Sequence, residues 1–547
     1  MNEAQGQSSY EDLVAGFDWR QPLAALGWEG QERINPAIAI VDRHAASHRV
    51  ALYWHGRDGA TRTVTFRELS RLSNRFAGLL QGLGIRPGDR VLGVLPRVPE
   101  TIAMMLGTMK AGAVYVPVFT GFGADAIRFR IAHSGARVVL LHHEFRDRLS
   151  LEGSGAEAVV TIGGPDGLGI ERGDISFWQA MAGQSDRFEP VLRRRDEPAL
   201  ILYTSGSTGQ PKGVQIANNF LVSIWPFMRH GIDLRADSLF WPTGDPGWGY
   251  GFICYMEALA MGVPVLSVAH NPSPAFALDL LEREGITALA TVPTLLRAIM
   301  ALGEEEVRRR RVALQSLASC GEPLNAEVVS FFDRVWGVKP RDFYGSSEQG
   351  VPAGNPAAVA MPVKPGSMGR PSPGQTLAII DDEGRELPAG DIGHIGLAPS
   401  AEGYYALGYW QNPEAEKGFR RGGWICAGDL GRVDEDGYFW FEGRSDDVIK
   451  SAGYRIGPFE VESAILGHPD VAEAAVVGKP DPQRGQIVKA FVVLKPGRST
   501  RPGLDEEIVE QVKSSLGRPQ APREVEFVAE LPTTISGKIQ RYLLRQR

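Results

Sequence analysis

What the chain lacks narrows its options first. Only three cysteines occur in 547 residues, Cys254, Cys320 and Cys426. They are scattered, odd in number and without metal-ligand spacing. That excludes a disulfide-stapled scaffold and points to a reducing compartment, with the thiols used for core packing. No apolar run approaches the length of a membrane span. The N-terminus carries Glu3, Glu11 and Asp12, and it lacks the basic stretch and apolar core of a signal peptide and the arginines of a transit peptide. A soluble cytoplasmic protein is expected. There is no basic excess either: 58 Lys and Arg against 65 Asp and Glu give a net charge of −7, which argues against nonspecific nucleic-acid binding. Internal repeats and low-complexity tracts are missing too.

What is present centres on one stretch, Leu202-Tyr203-Thr204-Ser205-Gly206-Ser207-Thr208-Gly209-Gln210-Pro211-Lys212-Gly213. Apolar runs at 199–202 and 214–216 flank it and read as buried strands. Glycines let the backbone turn tightly and aim consecutive N–H groups at an anion, hydroxyls add donors, and Lys212 adds charge. The stretch therefore reads as a phosphate cradle. It is not a Walker A loop, whose lysine opens a helix; here Lys212 follows proline and precedes a strand. The bland alternative, a Gly/Ser surface linker, is hard to reconcile with strands on both sides.

A chain of this length exceeds one core and suggests about two to four domains. Residues 1–60 read as a lead-in anchored by Phe17, Trp19 and Trp28. Leu69, Leu72, Phe76 and Leu79/Leu80 then fall on one helix face, ended by Gly84. Strands at 90–95 and 114–119 alternate with a helix at 100–110, so a parallel sheet covered by helices is expected. Gly121-Phe122-Gly123-Ala124-Asp125-Ala126 mimics a dinucleotide fingerprint, but strands and helices already precede it, and an ordinary strand-to-helix turn is the better reading. Residues 153–173 read as a surface excursion. Further strands fall at 239–241, 263–268, 288–291 and 316–319. From Ser372 short strands and turns imply a small β subdomain, and a compact α+β tail of about 100 residues closes the chain. In that tail Ile508, Val509, Val512 and Leu516 share a helix face. The charge block 304–311 reads as a solvated helix end.

Three loops follow strand ends, where open α/β sheets bind ligands. The cradle would hold phosphates. Gly321-Glu322-Pro323 and Tyr344 offer backbone groups and an aromatic face to a purine. Ser347 adds a hydroxyl, and Glu348 suits Mg²⁺ on phosphates, since magnesium takes oxygen ligands. Asp429 can accept from ribose hydroxyls and Arg444 can donate to them. Near the chain end, Ser536-Gly537-Lys538 puts one lysine on an exposed turn. It is either a solubilising tail residue or a mobile cation that neutralises charge between a carboxylate and a phosphate.

Taken together, these motifs resemble the adenylate-forming acyl-CoA synthetases over nearly the whole length, closest to the short- and medium-chain members. Asp446 to Pro458 and Pro480-Asp481-Pro482-Gln483-Arg484-Gly485 carry the closer likeness. The resemblance implies an α/β fold: a large N-terminal domain of strand–helix sheets with a small β subdomain (residues 1–443), a hinge (444–447) and a small mobile α+β domain (448–547). It implies ATP, Mg²⁺ and coenzyme A as reactants beside a carboxylic acid. An acyl-AMP forms with release of pyrophosphate; the small domain then swivels and the CoA thiol attacks.

By the same resemblance, Thr204, Ser205, Gly206, Ser207, Thr208, Gly209 and Lys212 hold the ATP phosphates. Gly321, Glu322, Pro323, Asp342, Phe343, Tyr344, Gly345, Ser346 and Ser347 line the nucleotide. Glu348 is the metal-associated glutamate, Asp429 and Arg444 are the ribose ligands, Arg455 contacts phosphate, and Asp446 is the hinge. Lys538 is the catalytic lysine of the first step, beside Thr204 and Glu348. Ala452, Gly453, Tyr454, Arg484 and Lys513 belong to the CoA path. Departures from the family pattern are Ser347 for threonine, Ala427 for threonine, His394 for glutamate, and Arg518-Pro519-Gln520-Ala521-Pro522 without tyrosines. Acetate-specific relatives carry tryptophan where Gly345 stands. The acyl pocket, walled by Trp248, Gly249, Tyr250 and Gly345, is therefore expected to admit acids larger than acetate, medium-chain fatty or aromatic. Two rival readings are an adenylate-former that loads a carrier protein and a nucleotide-binding module without chemistry; intact Lys538, Glu348 and Asp446 speak against the second.

Overall fold

The computed structural model describes residues 8–164, 167–204, 211–322, 324–445, 447–451, 454–533 and 539–547; of Lys450, Tyr454 and Arg455 it describes the backbone. The chain divides into two compact units. The first comprises Met1–Pro365, Gly369–Thr376 and Ala398–Phe419; the second comprises Gly366–Met368, Leu377–Leu397 and Arg420–Arg547. Residues 377–397 and 420–443, counted with the first domain in the sequence, thus fold compactly with the C-terminal residues.

The first unit holds two large sheets. One runs in the order Ala406–Tyr409, Lys212–Ala217, Pro198–Thr204, Val114–Val118, Arg90–Val94, Ala136–His142, Ala158–Ile162, Ile175–Ser176. Its inner pairings are parallel, while Pro198–Thr204, Lys212–Ala217 and Ala406–Tyr409 form an antiparallel edge. The other runs Arg370–Pro371, Gly350–Gly354, Arg341–Ser346, Ser316–Cys320, Ala288–Thr291, Phe240–Pro242, Val265–Val268, Val50–His55, Thr61–Thr65. It is parallel from Arg341–Ser346 to Val50–His55. Alternating strands and helices produce this arrangement because parallel neighbours need a crossover, and the crossover helices cover both faces.

Local sequence accounts for the helices. Phe66–Gly82 begins at a capping box in which Thr65 and Glu68 satisfy each other's backbone N–H groups, and it buries Leu69, Phe76, Leu79 and Leu80. Each such burial contributes about 1.5–3 kcal/mol before entropy is counted. Gly123 leads into the helix Ala124–Ser134, so the dinucleotide lookalike is a strand-to-helix turn. All three cysteines are buried, as expected of thiols used for core packing. Two expectations are corrected. The lead-in contains Val50–His55, which pairs in parallel with Val265–Val268, and the glycine-rich excursion contains Ala158–Ile162, which extends the first sheet. Among the described residues no helix is long and apolar enough to cross a membrane.

The second unit holds two five-stranded sheets. Leu377–Ile380, Gly393–Leu397, Trp424–Val433 and Arg420–Arg421 form one, with Phe439–Arg444 added on Trp424–Val433. Tyr454–Ile456, Ile449–Ser451, Gly485–Leu494 and Val471–Asp481 form the other, with Glu524–Phe527 added on Gly485–Leu494. The helix Leu504–Leu516 buries Ile508 and Val512, as its spacing implies. The strand Phe439–Arg444 abuts the helix Pro458–Leu466, with Phe441 edge-on to Phe459 at 6.3 Å.

Two carboxyls meet at that contact. Glu442 Oε1 accepts from Arg432 Nε at 2.8 Å. Burial, then the neighbouring Glu442 carboxylate, pushes Glu460 up to about 7 from an ordinary 4.5. Folded Glu460 keeps its proton to a higher pH than the unfolded chain does. Its contribution to stability is complete below 4.5 and lost as pH rises through about 7. Glu460→Gln is therefore expected to raise the thermal midpoint at pH 8 and leave it nearly unchanged at pH 4.5, read by scanning fluorimetry across that range.

Candidate active site

Two paired strands flank the stretch that sequence reading assigned to phosphate. Pro198–Thr204 and Lys212–Ala217 pair antiparallel, and Thr204 faces Lys212 across the mouth of the loop. Ser205, Gly206, Ser207, Thr208 and Gly209 lie outside the described residues, as do Pro323, Asp446, Ala452, Gly453 and Lys538.

Strand ends of both large sheets come together beside this hairpin. After Phe240–Pro242 the chain turns through Thr243 to Trp248 into the helix Gly249–Ala260. A Cβ on Gly249 would stand 3.5 Å from Leu202 Cδ1 and 3.8 Å from Ser347 Oγ, so the turn is wedged between the cradle strand and the residues after Arg341–Ser346. A Cβ on Gly321 would stand 3.4 Å from the Trp248 ring, and its φ of +95° suits glycine. The expected convergence of loops is thus observed for Leu202, Trp248, Gly249, Gly321 and Ser347.

Glu348 is 7% exposed, and its Oε1 accepts from the Tyr409 hydroxyl at 2.8 Å. Lys212 Nζ lies 5.7 Å from the centre of the Tyr409 ring. Sequence reading missed Tyr409: it lies on Ala406–Tyr409, and only the sheet register brings it to the hairpin, through pairing of Val214 with Tyr409. A single buried carboxylate with hydroxyls nearby fits Mg²⁺, which keeps most of its waters and takes one or two carboxylates plus phosphate oxygens. Among the described residues no group of three or more His, Cys, Asp or Glu could form an all-protein cage.

Other predicted residues occupy supporting positions. Tyr344 donates its hydroxyl to Gln349 Oε1 at 3.0 Å, and Ser346 Oγ accepts from the Gln349 N–H at 3.1 Å. Asp342 is buried; desolvation pushes its carboxyl well up against the pull of the Leu324 and Phe343 backbone. Phe343 lies edge-on to Phe227 at 4.9 Å. Tyr250 is buried too, its phenol raised by burial and by nearby Cys254, Cys320 and Asp342. The side chains of Asp342, Phe343 and Tyr250 therefore belong to the floor beneath the loops. The Glu322 carboxylate accepts from Arg297 at 2.9 Å and from Thr294 Oγ1 at 2.7 Å. A Cβ on Gly345 would lie 2.5 Å from the Gly350 carbonyl oxygen, where the strand pairing is irregular. A side chain at 345 requires that backbone to move.

A buried pair secures the Trp248 turn. Arg97 follows the strand Arg90–Val94 of the first sheet. Its guanidinium reaches the second sheet's loops, donating to the His270 carbonyl at 3.0 Å and to Asn271, with Nε 3.5 Å from Asp245 Oδ2. Asp245 Oδ1 accepts from the Gly247 N–H at 2.7 Å. Burial raises the Asp245 carboxyl and Arg97 draws it back.

In the second unit, Asp429 and Arg444 face each other across neighbouring strands, with Arg444 donating to Asp429 Oδ1 at 3.0 Å. Arg484 sits on the exposed turn between Val471–Asp481 and Gly485–Leu494, its N–H held by Asp481 at 2.8 Å. Lys513 pairs with Glu510 at 2.6 Å on the helix Leu504–Leu516. Arg541 donates to both oxygens of buried Glu462 at 2.8 Å and approaches Asp447 at 4.0 Å, while Arg545 also reaches Asp447. Arg541 and Arg545 are thus tied to Asp447 and Glu462 within one unit.

Residues 41–410 match the family model described as AMP-binding enzyme, and residues 460–538 match the AMP-binding enzyme C-terminal domain. An acetyl-coenzyme A synthetase of Bacillus subtilis is 36% identical across 98% of this chain and 94% of its own length. The crystal structure of a Brucella canis acyl-CoA synthetase is 40% identical, with a TM-score of 0.78 and 98% of each chain covered. A benzoate CoA ligase from Burkholderia xenovorans is 27% identical, with a TM-score of 0.82 and coverage of 94% of this chain and 100% of that one.

The Arg97–Asp245 pair gives a stability test. Arg97→Met strands a buried carboxylate, and its expected cost is about 3–5 kcal/mol. Adding Asp245→Asn should restore part of the loss, because neither charge is then left alone. Denaturant midpoints of the two singles and the double decide it; strictly additive losses refute the coupling.

Proposed function

Because the chain belongs to the AMP-binding enzyme family of acyl-CoA synthetases, we propose that it activates a carboxylic acid larger than acetate, medium-chain fatty or aromatic, and passes the acyl group to coenzyme A. The acid's oxygen attacks the α-phosphorus of ATP. The bond to the bridging oxygen breaks, and pyrophosphate leaves with the electron pair. The CoA thiolate then attacks the acyl carbon, and AMP leaves. The hydroxyls and N–H groups from Thr204 to Gly209 and the Lys212 ammonium hold the phosphates. Tyr344 and the 321–323 backbone face the base, and Asp429 with Arg444 takes the ribose. Magnesium, when bound at Glu348, offsets phosphate charge. Lys538 neutralises charge that grows between carboxylate and α-phosphate, where a placed cation is worth most.

The same cleft must then admit a thiol arm, so Lys538 has to leave. A turn of the 448–547 segment about Asp446 would exchange the lysine for Ala452, Gly453 and Tyr454 and shield the acyl-adenylate from water meanwhile. Arg455 on the phosphate and Arg484 and Lys513 near the CoA phosphates complete this reading.

One observation carries the preference for larger acids. Position 345 is glycine, and the Gly350 carbonyl stands 2.5 Å from where its Cβ would be. A glycine there leaves no side chain to narrow the pocket proposed beside Trp248 and Tyr250. The nearby carbonyl makes Gly345→Trp an unclean test, since it would disturb the strand pairing. A panel of acids read by pyrophosphate release is the direct test. Hexanoate, octanoate or benzoate should exceed acetate in kcat/KM by at least about tenfold, the scale on which pocket methylenes discriminate; acetate as best substrate refutes the preference. AMP formation that depends on CoA separates the ligase from a carrier loader. Lys538→Ala should slow pyrophosphate release by about 10²–10³-fold while leaving thioester formation from supplied acyl-AMP; an unchanged first step removes Lys538 from the scheme.

A further inference from the structure

Tyr409 lies outside the predicted set and touches two members of it, Lys212 and Glu348. Its place follows from sheet register. Val214 pairs with Tyr409, so Lys212, two residues along, is the diagonal neighbour on the same face. The Lys212 ammonium lies 5.7 Å from the ring centre, within reach of cation–π attraction. The hydroxyl donates to Glu348 Oε1 at 2.8 Å. The tyrosine is itself fixed, since its backbone N–H donates to Glu416 Oε2 at 2.9 Å and its ring lies edge-on to Phe419 at 5.7 Å.

We infer that Tyr409 is the positioning residue of the nucleotide step: its hydroxyl aims the Glu348 carboxylate and its ring seats the Lys212 ammonium. One side chain thereby sets the spacing between the carboxylate that would serve the metal and the cation that would serve the phosphates. The phenol gives the anion a donor and the cation a π face, so its removal takes one contact from each. The inference rests on the acyl-CoA synthetase reading for the identity of the ligands, and its test needs neither acid nor CoA.

The experiment is calorimetric titration of the full chain with ATP, once with Mg²⁺ and once with EDTA. Tyr409→Phe keeps the ring and removes the hydroxyl. It is expected to cut the Mg²⁺-dependent gain in ATP affinity by about tenfold, the scale of a hydrogen bond to a charged group, with affinity in EDTA within about twofold of wild type. Tyr409→Leu removes ring and hydroxyl and should weaken binding in EDTA as well. Glu348→Gln closes a double-mutant cycle: combined with Tyr409→Phe it should lose no more of the Mg²⁺ gain than Glu348→Gln alone. An undiminished gain in Tyr409→Phe, equal losses with and without Mg²⁺, strict additivity in the cycle, or a wild type that binds ATP equally in both buffers each overturns the inference. Failure of every acid to release pyrophosphate would instead strike the functional reading, so the two failures are told apart.

Discussion

The close approach of Gly249 to Leu202 on one side and Ser347 on the other is the constraint on which the first unit depends. A parallel sheet presents the ends of its strands along one edge, and a single sheet offers loops in a row. Here two sheets turn their ends toward one seam, and the Trp248–Gly249 turn fills it. A Cβ at 249 would make ordinary van der Waals contact with both neighbours, and only a side chain extending beyond it would have to displace one of them. The elements proposed to hold phosphate and metal, far apart in the chain, meet across this turn.

The polar groups around the seam are disciplined by burial. Asp342 and Asp245 are deep enough that solvent no longer holds their charge, and each is compensated by backbone N–H groups or by Arg97. Such groups add little net stability but tolerate few alternative arrangements. They therefore fix loop positions more firmly than apolar contacts, which can slide. The Arg541–Glu462–Asp447 set plays the corresponding part in the second unit, where it binds the ends of two segments whose middle residues carry the proposed lysine and hinge.

Where one segment carries its own pattern, sequence reading succeeded. The helix Phe66–Gly82 announced itself through Leu69, Phe76 and Leu79, while its capping box, Thr65 ahead of Glu68, went unread. The strands around the cradle were legible from short apolar runs bounded by Gly and Pro. Val50–His55 was not: its local hairpin with Thr61–Thr65 around Asp58-Gly59 was passed over, and its parallel pairing with Val265–Val268, far along the chain, leaves no local mark. Ala158–Ile162 was hidden by the glycines around it. Tyr409 and Arg97 act through the register of one sheet and the gap between two, and no spacing rule reports either. Gly345 was read for what it lacks; its close approach to the Gly350 carbonyl follows from an irregular pairing that composition cannot reveal.

The hairpin that carries the cradle has one more implication. Many phosphate-holding loops run from a strand into a helix, whose aligned peptide dipoles supply about half a positive charge at the anion. This loop leaves a strand and enters a strand. Its flanking strands carry no helix dipole of their own, so under the proposed function the burden of a polyanion would fall on discrete charges such as Lys212, which can be removed, added or screened one at a time. A grip built that way would be released as readily as it is formed, which would suit a site that discharges one product before its second substrate arrives.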